Sequence, residues 1–272
     1  MKKAATKSNG PIKAQIYFAR TYRRLQPNTI WQAMYILLCV LPCVVVFLLC
    51  YSHLTYLISH YISNLLRYAL PDDTVLRLRY GSFLPYFGGV YFINVPTRLP
   101  TASFTLINLF VSLMLIILCN IGKYKGRPIS VYLTIAITIH IISCIFFLFA
   151  AEHFPYSAVD YSEIYIEQQI GIWLSFIVIA GLVTGLISCG KMYRKLFTFL
   201  EIMAYSFVFG VVRYMVFLYV VCRFSSLYMA SLFFSLGPFF DFLYLVYIYS
   251  VFIDRLISTM DTSTERGVWQ WT

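Results

Sequence analysis

Apolar residues in this chain gather in long blocks separated by short polar interruptions, and six blocks are about 20 residues long. That is the length at which ~1.5 Å of rise per residue crosses ~30 Å of hydrocarbon with the backbone hydrogen-bonded inside the segment. The blocks run over 30–52, 103–121, 129–151, 170–190, 199–222 and 231–253, which predicts six transmembrane helices. Two neighbouring stretches follow other periods. From Ser52 to Arg67, Leu54, Leu57, Ile58, Tyr61, Ile62, Leu65 and Leu66 recur at helical spacing between His53, Thr55, Ser59, His60, Ser63 and Asn64. This predicts an amphipathic helix that either prolongs the first span or lies on the membrane surface, ended by Ala69-Leu70-Pro71-Asp72-Asp73. Thr74 to Tyr80 then alternates with period two and Val90 to Val95 is β-prone, with Gly81, Pro85, Gly88 and Gly89 between, so a small hairpin is expected. Before the first span, Ile12 to Leu25 mixes Ile16, Tyr17, Phe18 and Tyr22 with Lys13, Arg20, Arg23 and Arg24, as in a basic juxtamembrane helix, and Pro27-Asn28-Thr29 supplies a break and an N-cap.

Composition narrows the class. Of 272 residues 60% are hydrophobic and only 12% charged, against roughly a quarter charged in a soluble domain, which excludes a soluble globule, a disordered chain and a coiled coil. A formal net charge of +10 raises the question of nucleic acid, but the charges follow topology. Fifteen of the 21 basic residues fall in the two tails and in the loops around Lys123 and Lys191, whereas Asp72, Asp73, Glu152, Asp160, Glu163 and Glu167 fall on the other side. The positive-inside rule then places both termini in the cytoplasm, the protein in the plasma (inner) membrane and the hairpin outside. The basic excess implies contact with anionic headgroups, and nucleic acid is not expected as a partner. No small-residue cleavage site follows the first apolar core, so that span is expected to stay as a signal anchor.

The expected architecture is therefore an all-α polytopic membrane protein, a six-helix transmembrane bundle with an extracytoplasmic amphipathic helix and a small β-hairpin cap. Residues 1–29 form the cytoplasmic basic tail, 30–253 the membrane domain with its external insert at about 53–102, and 254–272 a cytoplasmic tail.

Candidate chemistry lies where the bilayer penalises it. An ionisable group inside a span costs roughly 2.5–3.5 kcal/mol and is expected to face a partner in the bundle. His140, Glu201, Arg213 and Asp241 are such groups. Helical rise puts Arg213 ~21 Å, Asp241 ~18 Å and His140 ~17 Å from the cytoplasmic ends of their spans. One polar layer is expected, with an Arg213–Asp241 ion pair and His140 hydrogen-bonded nearby, serving either as an assembly clip or as a proton or substrate path. Gly237-Pro238 must kink the sixth span one turn before Asp241. Glu201, at the cytoplasmic mouth of span five, is expected to pair with Lys191, Arg194 or Lys195. Gly181 and Gly185, continued by Cys189, form a close-approach face for another helix of this chain or for a second subunit.

Other motifs are weaker. Asp160, Glu163 and Glu167 share one helical face, read as solvated and within reach of Arg77, Arg79, Arg98 and Arg223. With His53, His60 and His153 they lack any fixed ligand spacing, so no metal site is assigned. Walker A, GxSxG and dinucleotide fingerprints are absent, and no cofactor is expected. The cysteines at 39, 43, 50, 119, 144, 189 and 222 lie in or beside apolar runs without a CxxC, and read as packing residues.

An external Glu before a span (Glu163 or Glu167), a short basic turn, Arg213 in the next span and Asp241 in the one after make about ninety residues resemble the catalytic core of exosortases and archaeosortases. The resemblance implies acyl transfer by a cysteine at the outer start of span four. Here that position reads Gln168-Gln169-Ile170-Gly171, and Gly210 replaces the Asn three before the Arg, so the chemistry has no nucleophile. The leading expectation is a subunit or scaffold of a membrane or cell-envelope assembly complex, holding protein partners in the membrane and carrying no assigned chemistry. The alternatives are a small-solute or proton-coupled carrier using His140, Arg213 and Asp241, and an exosortase-like protein without its cysteine.

Overall fold

Thr29–Tyr35 (α1), a π-helical turn at Ile36–Val40 and Leu41–Ala69 (α2) follow one another without a break. Pro42 accounts for the turn: it has no N–H to give, and Leu41 donates to Ile36 O across five residues. The 40-residue run from Ile30 to Ala69 is ~60 Å long, twice the thickness of the hydrocarbon core, so the amphipathic segment prolongs the first apolar helix. The computed structural model describes residues 23–25, 29–71, 76–84, 88–121, 126–186, 192–262 and 269–271. The expected juxtamembrane helix up to Tyr22, the Pro27-Asn28 break, Asp72 to Val75, Pro85, Lys123, Lys125, Cys189 and Lys191 lie outside the described residues.

Arg23–Leu25, expected to end a helix, instead form strand β1. Pro27 disfavours helix just before it, and Trp269–Trp271, a β-prone Trp-Gln-Trp, supplies the antiparallel partner.

The hairpin pairs Arg77–Leu84 (β2) with Gly88–Asn94 (β3), Tyr80 opposite Tyr91, with an irregularity between Ser82 and Leu84. A two-stranded ribbon is marginal alone, and here α2 completes the open edge of β3. Ser59 Oγ donates to Tyr91 O (2.8 Å), Tyr91 N to Thr55 Oγ1 (3.2 Å) and Tyr51 OH to Gly88 O (2.7 Å). The buried stripe of this half of α2 therefore includes Thr55, Ser59 and Ser63 beside Ile58, Ile62 and Leu66, while Leu57 and Tyr61 point outward.

Ala102–Asn120 (α3), Pro128–Ala150 (α4), Ala158–Leu186 (α5) and Met192–Arg223 (α6) follow. With the first run they make five helices, among the described residues, long and apolar enough to cross a membrane. Helix α5 starts well before the predicted 170 because of a capping box: Ser157 N donates to Asp160 Oδ2 (2.8 Å) and Asp160 N to Ser157 Oγ (3.2 Å). The sixth predicted block is not one helix. It divides into Met229–Ser235 (α7) and Pro238–Thr262 (α8), since Pro238 has no N–H with which to continue the ladder, and β4 (Trp269–Trp271) ends the described chain.

Ser226 N donates to Arg98 O (2.9 Å), which sets the start of α7 at the hairpin end of the bundle. At the other end, residues from Tyr247 to Leu256 of α8 face residues from Tyr193 to Glu201 of α6. Helix α3 packs on α4, and α4 on α7. Tyr165, Tyr214, Phe217 and Ile93 form the core near the hairpin, and Tyr35, Val40, Phe176 and Phe199 form another near the β1–β4 end.

The GxxxG face turns inward. A Cβ on Gly181 would lie 2.6 Å from Val40 Cγ2, and one on Gly185 2.8 Å from Tyr35 Cδ1. Gly181→Ala is expected to destabilise the protein by about 1–3 kcal/mol through overpacking, read as a lower melting temperature in detergent with an unchanged elution volume. A change of oligomeric state at unchanged stability would instead assign the face to a second subunit.

Candidate functional site: a saturated arginine at a helix break

Arg213 of α6 and Asp241 of α8 meet inside the bundle, with Nη2 2.8 Å from Oδ2 and side chains 4% and 1% exposed. All five N–H groups of the guanidinium are used. Nε donates to Tyr165 OH (2.6 Å), Nη1 to Leu236 O and Gly237 O (2.9 Å each), and Nη2 to Gln169 Oε1 (2.7 Å) and Asp241 Oδ2. The guanidinium carbon also lies 5.6 Å from the Tyr165 ring centroid and 5.5 Å from that of Phe209.

The break between α7 and α8 explains why a cation is needed here. Breaking a helix leaves carbonyls without N–H partners, which is costly away from water. Tyr132 OH of α4 donates to Ser235 O, and Arg213 takes the next two carbonyls. The charges match the half-helix dipoles as well: Arg213 sits at the C-terminal end of α7, and Asp241 lies in the first turn of α8.

Gly210 makes the room. A Cβ there would lie 2.5 Å from Gln169 Nε2, and without it Tyr165 OH also reaches Gly210 O (3.3 Å). On the hairpin side Tyr165 stacks on Tyr214 (centroids 5.2 Å apart), whose hydroxyl accepts from Ile93 N (3.2 Å) and shares a hydrogen bond with Ser162 Oγ (2.6 Å). The cap and the ion pair are thus joined through two tyrosines. On the other side the Tyr244 hydroxyl lies beside Asp241 and Ser206. Asp241 Oδ1, Tyr244 OH, Ser206 Oγ and Gln169 Nε2 are nonetheless buried without a well-formed hydrogen bond.

The three-residue layer expected from the sequence is not assembled. His140 shares a hydrogen bond with Ser231 Oγ (3.3 Å) and stacks on Tyr228 (5.1 Å), because α4 packs on the short helix α7. Gly237 packs against Phe233 O, and Pro238 opens α8. Glu201 makes no ion pair among the described residues and lines the groove between α6 and α8. The acidic face is divided: Asp160 caps α5, the Glu163 carboxylate lies against Gly81 of β2, and no ion pair joins either to Arg77, Arg79, Arg98 or Arg223. Among the described residues no group of three or more His, Cys, Asp or Glu could hold a metal ion, and the described cysteines are free thiols.

Apolar periodicity and charge do not single out Ser162, Tyr165 or Tyr214, and Gln169 stands out only where the resemblance expects a cysteine. The available signal was Ser162, Tyr165 and Gln169 at i, i+3 and i+7, a polar stripe leading into an apolar run.

No family model, curated protein or solved structure matches this chain.

Proposed function

We propose that this protein crosses the plasma membrane six times, with both tails in the cytoplasm and the hairpin outside, and serves as a non-catalytic subunit or scaffold of a membrane assembly complex. Pairing of β1 with β4 favours an even number of crossings, because it brings the two tails together. The α7–α8 segment supplies the sixth, running from the Arg98 end to the Arg194 end. The observation that carries the scaffold reading is the saturation of Arg213. A guanidinium with every donor committed, two of them to the carbonyls of a broken helix, is a fastening and has no donor left for a passing solute.

Two experiments test it. Ser82→Cys should react with a membrane-impermeant maleimide on intact cells and Gly126→Cys only after permeabilisation; the reverse pattern inverts the topology. Arg213→Gln with Asp241→Asn should lower the yield of copurifying partners in mild detergent. If that double variant instead assembles normally and abolishes solute or proton flux in vesicles, the protein is a carrier.

One observation favours a second reading, a catalytically silent exosortase relative. Gln169, standing where the resemblance places the nucleophile, contacts Arg213, which contacts Asp241. Yet Glu163 is held at the hairpin, away from this trio.

A further inference from the structure

We infer that the outer edge of β2 takes an acidic, extended segment of a partner protein as a third, antiparallel strand, with carboxylates opposite Arg77 and Arg79. In an antiparallel ribbon, facing residues alternate between exchanging both main-chain bonds and turning both groups away from each other. Tyr91 O accepts from Ser59, Tyr91 N donates to Thr55, and Ile93 N donates to Tyr214, so these two residues of β3 turn away from β2. Their partners in register are Tyr80 and Leu78, whose N–H and C=O groups therefore point to the opposite edge. No described residue bonds to them there. The fold closes the β3 edge with three hydroxyls and leaves the β2 edge bare, which makes it a template for another chain.

The side chains along that edge select the occupant. Arg77 and Arg79 alternate with Leu78 and Tyr80, are exposed, and have no hydrogen bond or ion pair among the described residues. They share one face of the ribbon ~7 Å apart, the spacing of two carboxylates at alternate positions of an added strand. Glu163 lies on the same face against Gly81 and pairs with neither arginine. Its charge turns an incoming acid away from Gly81 and toward the arginine end. On the other face Leu78 is half-buried and Tyr80 exposed, a surface for an apolar residue between the two acids. A second copy pairing through the same edge would bring arginines together, the device by which edge strands resist self-association.

This gives the scaffold reading an extracytoplasmic partner and rests on it for that role. A fluorescein-labelled peptide, Thr-Glu-Val-Glu-Val-Glu-Thr, is titrated with the full chain in uncharged detergent and followed by anisotropy. Saturable binding of one peptide per chain is expected. N-methylation of the two valines, whose N–H groups would face Leu78 and Tyr80, should abolish binding, whereas N-methylation of the glutamates should leave it near native. Arg77→Gln with Arg79→Gln should weaken binding about tenfold, the worth of two cross-strand charge pairs, at an unchanged melting temperature.

Equal binding of the two methylated peptides would mark attraction by charge alone, as toward an anionic membrane, and overturns the strand. No saturable binding at about 1 mM peptide, or binding indifferent to the two arginines, overturns it as well. A dimer in light scattering that the peptide splits would assign the edge to a second copy instead. Failure of the scaffold reading shows differently, as flux lost in Arg213→Gln with Asp241→Asn, while peptide binding at the β2 edge persists.

Discussion

Arg213→Met is expected to be the most destabilising single replacement in this protein, at about 3–5 kcal/mol. Methionine is of similar length and apolar, so little of the cost is cavity; it comes from what is left behind. Asp241 loses its counter-charge at a position only 1% exposed. Leu236 O and Gly237 O lose a donor at the break, and Tyr165 OH and Gln169 Oε1 lose theirs. Asp241→Asn should cost less, since an amide oxygen can still accept from Nη2 while the other four donations persist. The decisive variant is Arg213→Met with Asp241→Leu. Removing both charges normally recovers a buried pair's cost, because the desolvation penalty vanishes with them. Here recovery is expected to be partial, leaving about 1–3 kcal/mol for each uncapped carbonyl. Thermal unfolding in detergent measures the series. A double variant as stable as the native chain would mean that Arg213 does not hold the break.

The ion pair could be read from the sequence because helical rise is reliable arithmetic. Two charges equally far along consecutive apolar blocks have no cheaper partner than each other. His140 obeyed the same arithmetic and lies elsewhere, since depth along a helix axis says nothing about azimuth or about which helices are neighbours. Those are decided by Gly237-Pro238, which turned an expected kink into a full break and set α7 against α4. The amphipathic half of α2 carries a similar lesson. Apolar periodicity identified a helix but not its buried stripe, because Thr55 and Ser59 are drawn inward by the unpaired edge of β3. Asp160 was read as one of three solvated acids, although Ser157-x-x-Asp160 is a capping box in the sequence and accounts for the early start of α5. Tyr214 carries no such signature, and Tyr165 only its place in the polar stripe of Ser162 and Gln169. Their importance comes from tertiary contacts between elements far apart in the chain.

Gly89→Ala should be the most damaging replacement in the cap, at roughly 2–4 kcal/mol, and much worse than the same change at Gly81. Both glycines are in the hairpin, and what an added methyl group meets separates them. At Gly89 it falls on the backbone carbonyl of Gly81, with the carbonyl carbon at 2.9 Å and Tyr80 Cζ at 2.8 Å. Backbone on the paired strand cannot yield without opening the β2–β3 ladder next to its irregularity, and Gly89 N would also lose its bond to Tyr80 OH (2.8 Å). At Gly81 the methyl falls on the Glu163 carboxylate, the end of a flexible side chain that can swing away, so about 1 kcal/mol or less is expected. Gly81→Ala combined with Glu163→Ala should recover that loss, whereas no side-chain truncation should rescue Gly89→Ala. Because β3 bonds to Tyr51, Thr55, Ser59 and Tyr214, opening the hairpin also exposes the upper faces of α2 and α6. Amide exchange should therefore accelerate at Tyr91 and Ile93 in Gly89→Ala and stay near native in Gly81→Ala. Equal exchange in the two variants would contradict the strand register, which is the part of the cap that ties it to the ion pair below.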